Sequence, residues 1–260
     1  VVWVGTGENN SQRSVGYGDG VYKSIDGGAT WKNVGLPDSE HIGKIVVHPE
    51  DGNVVYVASQ GPLWNSGGDR GLYRTTDGGE TWTRILHISD DTGISDIVMD
   101  PRDPDVMYAS AYQRRRHVWT LLNGGPEGGI YKTTDGGETW TELERGLPDG
   151  DIGRIGLAVA PTNGNRVYAI VEAAGDASGF YRSDNAGASW KKVSPYVSNS
   201  PQYYQEIVVD PTDADVIYSN DTWFHRSVDG GHTWERINSG TMHVDNHAVW
   251  IDPEDPKHLV

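Results

Sequence analysis

Short apolar stretches recur along the chain and are separated by turns rich in Gly, Pro and Asp. Each period holds four stretches: one that ends at a Pro turn, one centred on Tyr, one that begins with Gly and one that begins at Trp. The stretches that end at a Pro turn are 42–52, 94–104, 154–164, 204–214 and 246–256. The stretches centred on Tyr are 54–58, 106–110, 166–170 and 216–220. The third strands, most of which begin with Gly, are 20–24, 71–75, 129–133, 179–183 and 224–227. Their alternation and their β-branched and aromatic content are typical of strands, and no stretch is convincingly helical.

A repeated eight-residue motif defines the period of the repeat. TTDGGETW stands at 75–82 and again at 133–140, and looser copies follow the same pattern at 24–31, 183–190 and 227–234. The Trp residues that close the five copies are Trp31, Trp82, Trp140, Trp190 and Trp234, at spacings of 51, 58, 50 and 44 residues. Four antiparallel strands repeated at roughly 40–60 residues predict an all-β fold, the β-propeller.

The pattern predicts a single propeller domain over residues 1–260, with five blades of four strands each. The predicted blade limits are 1–36, 37–88, 89–147, 148–194 and 195–238, and residues 239–260 either complete the first blade or start a sixth. Both ends of the chain carry second-strand sequence, so that a closed five-bladed ring and a piece of a longer propeller are both open. We favour the piece of a longer propeller.

The acidic position of the repeated word is expected to be structural. It is occupied by Asp26, Asp77, Asp135, Asn185 and Asp229. A carboxylate there accepts backbone N–H groups in the turn between the third and fourth strands, and Gly supplies the positive φ that the turn requires. Four acids and one Asn in identical positions cannot all be catalytic. The Trp gives each blade a large rigid surface for packing.

The repeated word S/T-x-D-x-G-x-T-W resembles the Asp box, or bacterial neuraminidase repeat, of sialidases, xyloglucanase-type glycosidases and sortilin-type receptors. The phrases VGTGENN (4–10), DTGISDIVMDP (91–101) and DNHAVWIDP (245–253) are similar to large bacterial sortilin-like or glycosyl hydrolase-like proteins. The resemblance covers essentially the whole chain. It implies an extracellular or periplasmic location and further blades or domains of a longer chain, but the Asp box is carried by enzymes and receptors alike.

The composition of the chain excludes several classes of binding partner. The formal charge of -16 argues against nucleic acid and against anionic membranes. The chain has no Cys, so disulfides and thiolate metal sites are excluded. No apolar run approaches the roughly 18 residues that span a bilayer, so we predict no membrane insertion. A glycan or a peptide is the expected ligand, and no cofactor is expected.

Propeller geometry places the uniform Pro turns and Asp boxes on one face and the variable connections on the other, which we call the loop face. The variable connections are 6–19, 59–70, 111–128, 194–203 and 238–246. Function tends to lie on such loops. The predicted ligand-binding residues are Arg114, Arg115, Arg116, Trp119, Tyr203, Tyr204, His243, Asn246 and His247, with Trp64 and Trp223 as further stacking platforms.

The residue types point to particular chemistry. Contiguous arginines can hold a carboxylate, sulfate or phosphate, although a solvated loop paired with nearby acids explains them as well. Two His with Asp245 could bind a divalent metal, but hydrogen-bonded structure is the favoured explanation, so we predict no metal site. Aromatic rings can stack on sugars.

Catalysis would require two carboxyl groups at glycosidase separation. The candidates are Glu8, Asp96, Asp151, Glu206 and Asp245, none singled out by spacing. Sialidase activity is disfavoured because the chain lacks an Arg-Ile-Pro segment and its three contiguous arginines cannot converge from separate blades. The favoured function is therefore a binding module for a glycan or peptide. A xyloglucanase-like glycoside hydrolase and a structural scaffold are the alternatives.

Overall fold

The computed structural model describes residues 1–10, 15–238, 240 and 242–260, and it is an antiparallel all-β propeller. Five sheets succeed one another along the chain. Blade 1 contains β1 (Val2–Gly5), β2 (Val21–Ser24) and β3 (Lys32–Gly35); blade 2 contains β4 (Ile42–Val47), β5 (Val55–Ser59), β6 (Gly71–Thr75) and β7 (Thr83–Leu86). Blade 3 contains β8 (Thr92–Asp100), β9 (Asp103–His117), β10 (Thr120–Asn123), β11 (Gly129–Thr133) and β12 (Thr141–Leu143). Blade 4 contains β13 (Ile152–Ala160), β14 (Asn163–Ala173), β15 (Gly179–Ser183) and β16 (Lys191–Ser194); blade 5 contains β17 (Glu206–Val209), β18 (Ile217–Asn220), β19 (His225–Ser227) and β20 (Glu235–Arg236).

The core lies between neighbouring blades. Buried clusters join successive sheets; the cluster between blades 3 and 4, for example, contains Tyr108, Ile130, Leu157 and Val167. A further cluster packs blade 5 against Ile251 of the C-terminal segment. The tyrosines of the second strands also reach the next Asp box. The Tyr56 hydroxyl donates to the Gly136 carbonyl at 3.0 Å, and the Tyr108 hydroxyl donates to the Ala186 carbonyl at 3.0 Å. Adjacent blades are therefore held by both apolar packing and specific hydrogen bonds.

The Asp boxes have the predicted local geometry. The Asp77 Oδ1 atom accepts the N–H groups of Glu80 and Thr81, both at 2.9 Å, and the Thr81 hydroxyl donates to Oδ2 at 2.6 Å. Gly79 has a φ of 91°, a conformation that Gly adopts without steric cost. Asn185 keeps the same acceptor role, since its Oδ1 atom accepts the Ser189 N–H at 2.9 Å.

The 111–128 connection is more regular than its prediction as a loop. β9 continues as far as His117 and pairs with β10, so that Thr120 lies opposite His117 and Asn123 lies opposite Arg114. The result is a β-hairpin that extends blade 3 on the loop face. The unbroken polar run from Gln113 to His117 carries no strand alternation, so the sequence did not indicate this hairpin.

The two ends of the chain approach each other without forming a sheet. In the described residues no ladder joins β1 to 247–252; instead, Trp250 exchanges backbone hydrogen bonds with Val260 at 2.8 and 3.0 Å. The Asn10 Nδ2 atom lies 3.0 Å from the Nδ1 atom of His247. The predicted blade limits, and the choice between closure and a further blade, stay predictions.

Candidate functional site

Charged side chains surround the mouth of the central channel on the loop face. Lys44, Asp96 and Glu206 occupy equivalent positions on three inner strands, five residues before the Pro turn of each blade. Lys44 Nζ lies 3.5 Å from Asp96 Oδ1, and the Leu157 N–H donates to Asp96 Oδ2 at 3.0 Å. Sequence spacing singled out no pair of carboxylates, but the fold brings Asp96 and Glu206 to one lysine.

Lys44 and Glu206 both have raised pKa values. The neighbouring carboxylate of Asp96 raises the pKa of Lys44, which keeps the amine charged. Burial raises the pKa of Glu206, although the positive charges of Lys44 and Arg154 act in the opposite direction. The mouth therefore combines a carboxylate held by a cation and an N–H group with a carboxyl group that retains its proton to higher pH.

Residues 8–10 cross the channel mouth from blade 1. The Asn9 side chain donates to the Gly43 carbonyl at 3.0 Å, and the Asn10 Oδ1 atom accepts a hydrogen bond from Arg154 at 3.1 Å. Glu8 points outwards and its Oε2 atom accepts the Gly16 N–H at 3.0 Å. This crossing segment covers the centre of the loop face. The rest of the predicted 6–19 and 238–246 loops includes residues 11–14, 239 and 241, which lie outside the described residues.

An aromatic cluster lies beside the crossing segment. The Tyr204 hydroxyl donates to Asp245 Oδ1 at 2.5 Å, and the Nε2 atom of His247 lies 3.1 Å from the same oxygen. His247 stacks on Tyr204 with ring centroids 5.0 Å apart, and Tyr203 meets both rings edge-on. Asn246 donates to backbone carbonyls, whereas His243 is exposed. In the part of the chain that the structure describes, no three His, Asp or Glu side chains are placed to hold a metal ion.

The contiguous arginines Arg114 and Arg115 have different partners. Arg114 is almost fully buried and its Nη1 atom donates to the Asn9 carbonyl at 3.3 Å. Arg115 is paired with Asp91 at 2.8 Å. The backbone N–H of Arg116 donates to the Leu63 carbonyl at 2.8 Å. Arg114 therefore reaches the crossing segment, whereas the guanidinium group of Arg115 is engaged by an acid at the edge of the loop face.

The β9–β10 hairpin borders an open cleft of the loop face, with a volume of about 450 Å³. Its lining residues are Ser66, Asp91, Gln113, Arg115, His117, Leu122, Gly124, Gly125, Pro126 and Asp151. At the tip of the hairpin, Trp119 is 82% exposed and stacks on His117 at 5.5 Å. We call this region the hairpin cleft. It combines an exposed aromatic plane with polar side chains of both charges.

Other predicted platforms are engaged or isolated. The Arg236 guanidinium lies 3.1 Å from the ring centroid of Trp223 and covers it. Trp64 is 46% exposed on the loop face. Asp151 lines the hairpin cleft, away from the Lys44 group.

Sequence reasoning missed the central cations. Lys44, Arg154, Arg70 and His41 were not predicted, although Lys44 stands in the same alignment column as Asp96 and Glu206. That column, five residues before each Pro turn, was the available signal. Arg154 and Arg70 carried no comparable signal, because each enters the centre from the end of its own blade.

The fold and the loop face define an Asp-box propeller with a polar channel mouth. The family model Sortilin-Vps10, described as "Sortilin, neurotensin receptor 3", matches residues 19–176. The chain belongs to this family.

Several relatives are carbohydrate-active enzymes. A xyloglucanase of Paenibacillus sp is 28% identical over 90% of this chain, and xyloglucanase Xgh74A of Acetivibrio thermocellus is 24% identical over 92%. The aligned regions cover 24% and 32% of those two proteins, so this chain spans about a quarter to a third of their length. The photosystem II assembly lipoprotein Ycf48 of Synechococcus sp. is 29% identical over 74% of this chain and 47% of its own.

Solved structures agree on the fold. An ancestral GH74 enzyme superposes with a TM-score of 0.65 at 19% identity, covering 92% of this chain and 31% of that enzyme. The GH74 xyloglucanase of Xanthomonas campestris gives a TM-score of 0.60 at 19% identity, covering 96% of this chain and 40% of that enzyme. Among the described residues, no helix is long and apolar enough to cross a membrane.

Proposed function

We propose that this propeller binds a glycan on its loop face, as part of an extracytoplasmic protein of the xyloglucanase type. The observation that carries the proposal is the hairpin cleft, where the exposed Trp119 plane stands beside a 450 Å³ opening lined by polar side chains. Sugar rings present apolar faces to aromatic planes and hydroxyls to side chains such as Gln113 and Asp151. The similarity to xyloglucanases supports a neutral β-glucan chain as ligand, and the description of Ycf48 as a lipoprotein supports an extracytoplasmic location.

The test is binding of xyloglucan oligosaccharides to the wild type and to Trp119→Ala, measured by isothermal titration calorimetry. We expect at least a tenfold loss of affinity in Trp119→Ala, because an aromatic plane contributes about 1–3 kcal/mol to stacking. Trp31→Ala is the matched control, since Trp31 is 43% exposed but belongs to the opposite face. Unchanged affinity in Trp119→Ala, or an equal loss in Trp31→Ala, would contradict the proposal.

A second candidate function is glycoside hydrolysis at the channel mouth. The specific observation in its favour is that Asp96 and Glu206 both act on Lys44, and that burial raises the pKa of Glu206. A carboxyl group with a raised pKa suits a general acid, and a neighbouring ionised carboxylate suits the second role in glycoside cleavage. In this scheme Glu206 protonates the leaving oxygen, while Asp96 acts as a base towards water or as a nucleophile.

The hydrolysis candidate is tested by release of reducing ends from xyloglucan. Glu206→Gln and Asp96→Asn are expected to lower turnover at least a hundredfold without loss of oligosaccharide binding. Asp51→Asn serves as the control, because Asp51 accepts the Asn53 N–H at 2.9 Å in a turn of the opposite face and has no place in binding or in this chemistry. Wild-type protein that binds xyloglucan and releases no reducing ends would leave binding as the function of this chain.

A further inference from the structure

Two buried arginines, Arg114 and Arg154, donate to the crossing segment, and the charge of a third, Arg70, acts on Arg114. Arg70, Arg114 and Arg154 are 1%, 2% and 3% exposed, and each comes from a different blade. In the described residues none of the three guanidinium groups lies within 4.0 Å of a carboxylate. In a chain with 37 acidic residues against 21 basic ones, three unpaired buried cations are unexpected.

The available hydrogen-bond acceptors are neutral and incomplete. Arg70 donates to the carbonyls of Gln60, Pro62 and Asn65, which satisfies both terminal nitrogens. Arg154 donates to the Asn10 amide oxygen and to the Gln202 carbonyl, both at 3.1 Å.

Arg114 is the least satisfied of the three. Its Nη1 atom reaches the Asn9 carbonyl at 3.3 Å, and its buried Nη2 atom has no hydrogen-bond partner among the described residues. A buried charged donor without an acceptor is costly, because the group has lost its water without replacement.

The charges also interact with one another. Burial lowers the pKa of Arg114 to about 10, and the positive charges of Arg154 and Arg70 add to this effect. Glu206 and Glu172 are the acids that feel the charge of Arg154, but Glu172 accepts the Arg154 backbone N–H at 3.1 Å rather than its guanidinium. Two like charges, those of Arg114 and Arg154, therefore act on each other beneath residues 9 and 10.

We propose that Arg114 and Arg154 form a binding site for a carboxylate, supplied by an acidic sugar of the uronic acid class. Arg114 donates to the backbone carbonyl of Asn9 and Arg154 donates to the side chain of Asn10, so the two guanidinium groups contact neighbouring residues of the crossing segment. A carboxylate takes the position of the Asn10 amide oxygen after a side-chain rotation and also reaches Arg114 Nη2. A carboxylate offers two acceptor oxygens and a negative charge, and these suit the N–H donors and the positive charges of two guanidinium groups.

The carboxylate site goes beyond the glycan function proposed above, and only its assignment to a sugar rests on that function. Tyr203, whose ring packs beside Tyr204 and His247 next to the crossing segment, offers a surface for the ring that bears the carboxylate. The neutral xyloglucan of the related enzymes would leave this site without its charged partner.

The experiment is a melting-temperature titration at pH 7 with D-glucuronate, D-glucose, acetate and sulfate. Glucuronate at about 100 times its Kd is expected to raise the melting temperature by about 5 °C, and glucose to have no effect. If acetate stabilises the protein and glucuronate does not, the carboxylate site is supported but its assignment to a sugar is contradicted. Equal effects of sulfate and glucuronate would contradict the preference for a carboxylate, and no effect of any anion would overturn the site.

A variant that supplies its own carboxylate makes the test sharper. Asn10→Asp places a charged oxygen where Arg154 already donates, so it should raise the melting temperature without ligand and weaken glucuronate at least tenfold. Asn163→Asp is the matched control: its Oδ1 atom accepts the Asn165 N–H at 3.2 Å in a turn of the opposite face, and it adds the same charge. An Asn10→Asp protein that is less stable, or that binds glucuronate as the wild type does, would overturn the proposal.

Discussion

The Asp-box face and the loop face of this propeller satisfy their polar groups in opposite ways. On the Asp-box face, hydrogen bonds from Thr30 hold the pKa of Asp26 at about 2, and those from Thr139 do the same for Asp135. On the loop face, Arg114 is buried with an unused donor, and burial raises the pKa of Glu206. The two ends of the same blades therefore differ. At the Asp-box end the polar groups are satisfied by local hydrogen bonds, whereas at the loop end some polar groups lack hydrogen-bond partners.

Sequence separation explains the difference. The partners of Asp77 lie between Thr75 and Thr81, so a single turn completes the motif. The partners of Arg154 lie 144 and 48 residues away, so their relation depends on the assembled ring. Hydrogen bonds that are completed within one turn stabilise the scaffold. Polar groups that lack partners in the assembled centre can instead be satisfied by a ligand.

The largest expected effect concerns the glycines of the Asp-box face. Gly28 and Gly231 have φ angles of 95° and 89°, so Ala at either position loses about 1–2 kcal/mol of unfolding free energy. At Gly231 a Cβ atom would also meet the Phe180 ring at 2.3 Å, which adds about 1–3 kcal/mol. Gly231→Ala should therefore be clearly less stable than Gly28→Ala in urea unfolding.

Gly28→Ala serves as the control in that comparison, because a Cβ atom there meets only Trp31 at 3.6 Å. Equal losses in the two variants would mean that backbone conformation alone limits these turns. In that case the packing between blades would contribute nothing specific at the Asp boxes.

The second effect belongs to the loop face and depends on pH. Burial lowers the pKa of His41 to about 4, and the positive charges of Arg114 and Arg70 act in the same direction. A His with a depressed native pKa costs nothing above its unfolded pKa of 6.5, and it costs stability as the pH falls from 6.5 to 4. The wild type should lose up to about 3 kcal/mol from this group over that range.

His41→Gln should remove that part of the acid loss, measured as unfolding free energy at several pH values between 7 and 4. His232→Gln is the control, because His232 is exposed on the Asp-box face. Parallel pH curves for the wild type and His41→Gln would show that the imidazole becomes protonated in the native state at ordinary cost.

A third prediction concerns Glu206, a carboxyl group of the loop face whose pKa is raised, whereas the pKa values of the Asp-box carboxyl groups are lowered. Glu206 has a raised pKa, so its ionisation above about pH 4.5 destabilises the native state relative to the unfolded chain. Glu206→Gln should therefore raise the melting temperature at pH 7 and change it little at pH 4. A lower melting temperature at pH 7 would mean that attraction to Lys44 outweighs burial.

The Asp-box face was predictable from sequence and the centre of the loop face was not. The repeated word, its acceptor and its glycines identified the propeller, because each Asp box is a local structure of eight residues. The direction of Arg114, Arg115 and Arg116 depended on an unforeseen hairpin, since adjacent strand residues alternate between the two sides. The pairing of Lys44 with Asp96 joins the inner strands of successive blades 2 and 3, and neither residue identifies the other as its partner in the sequence.

The smallest expected effect tests whether charge or geometry matters at an Asp box. Asp77→Asn should lower the melting temperature less than Asp77→Ala, because Asn185 already fills the equivalent position and accepts the Ser189 N–H at 2.9 Å. The pKa of Asp77 is lowered by its bonds from Thr81 and Thr75, so its charge stabilises the protein above about pH 4 and this contribution is lost in stronger acid. The two variants should therefore converge on the wild type as the pH falls, with Asp77→Asn closer throughout. Equal losses for Asn and Ala at pH 7 would mean that the negative charge, rather than the acceptor geometry, holds the turn, and the two faces would then both be governed by electrostatics.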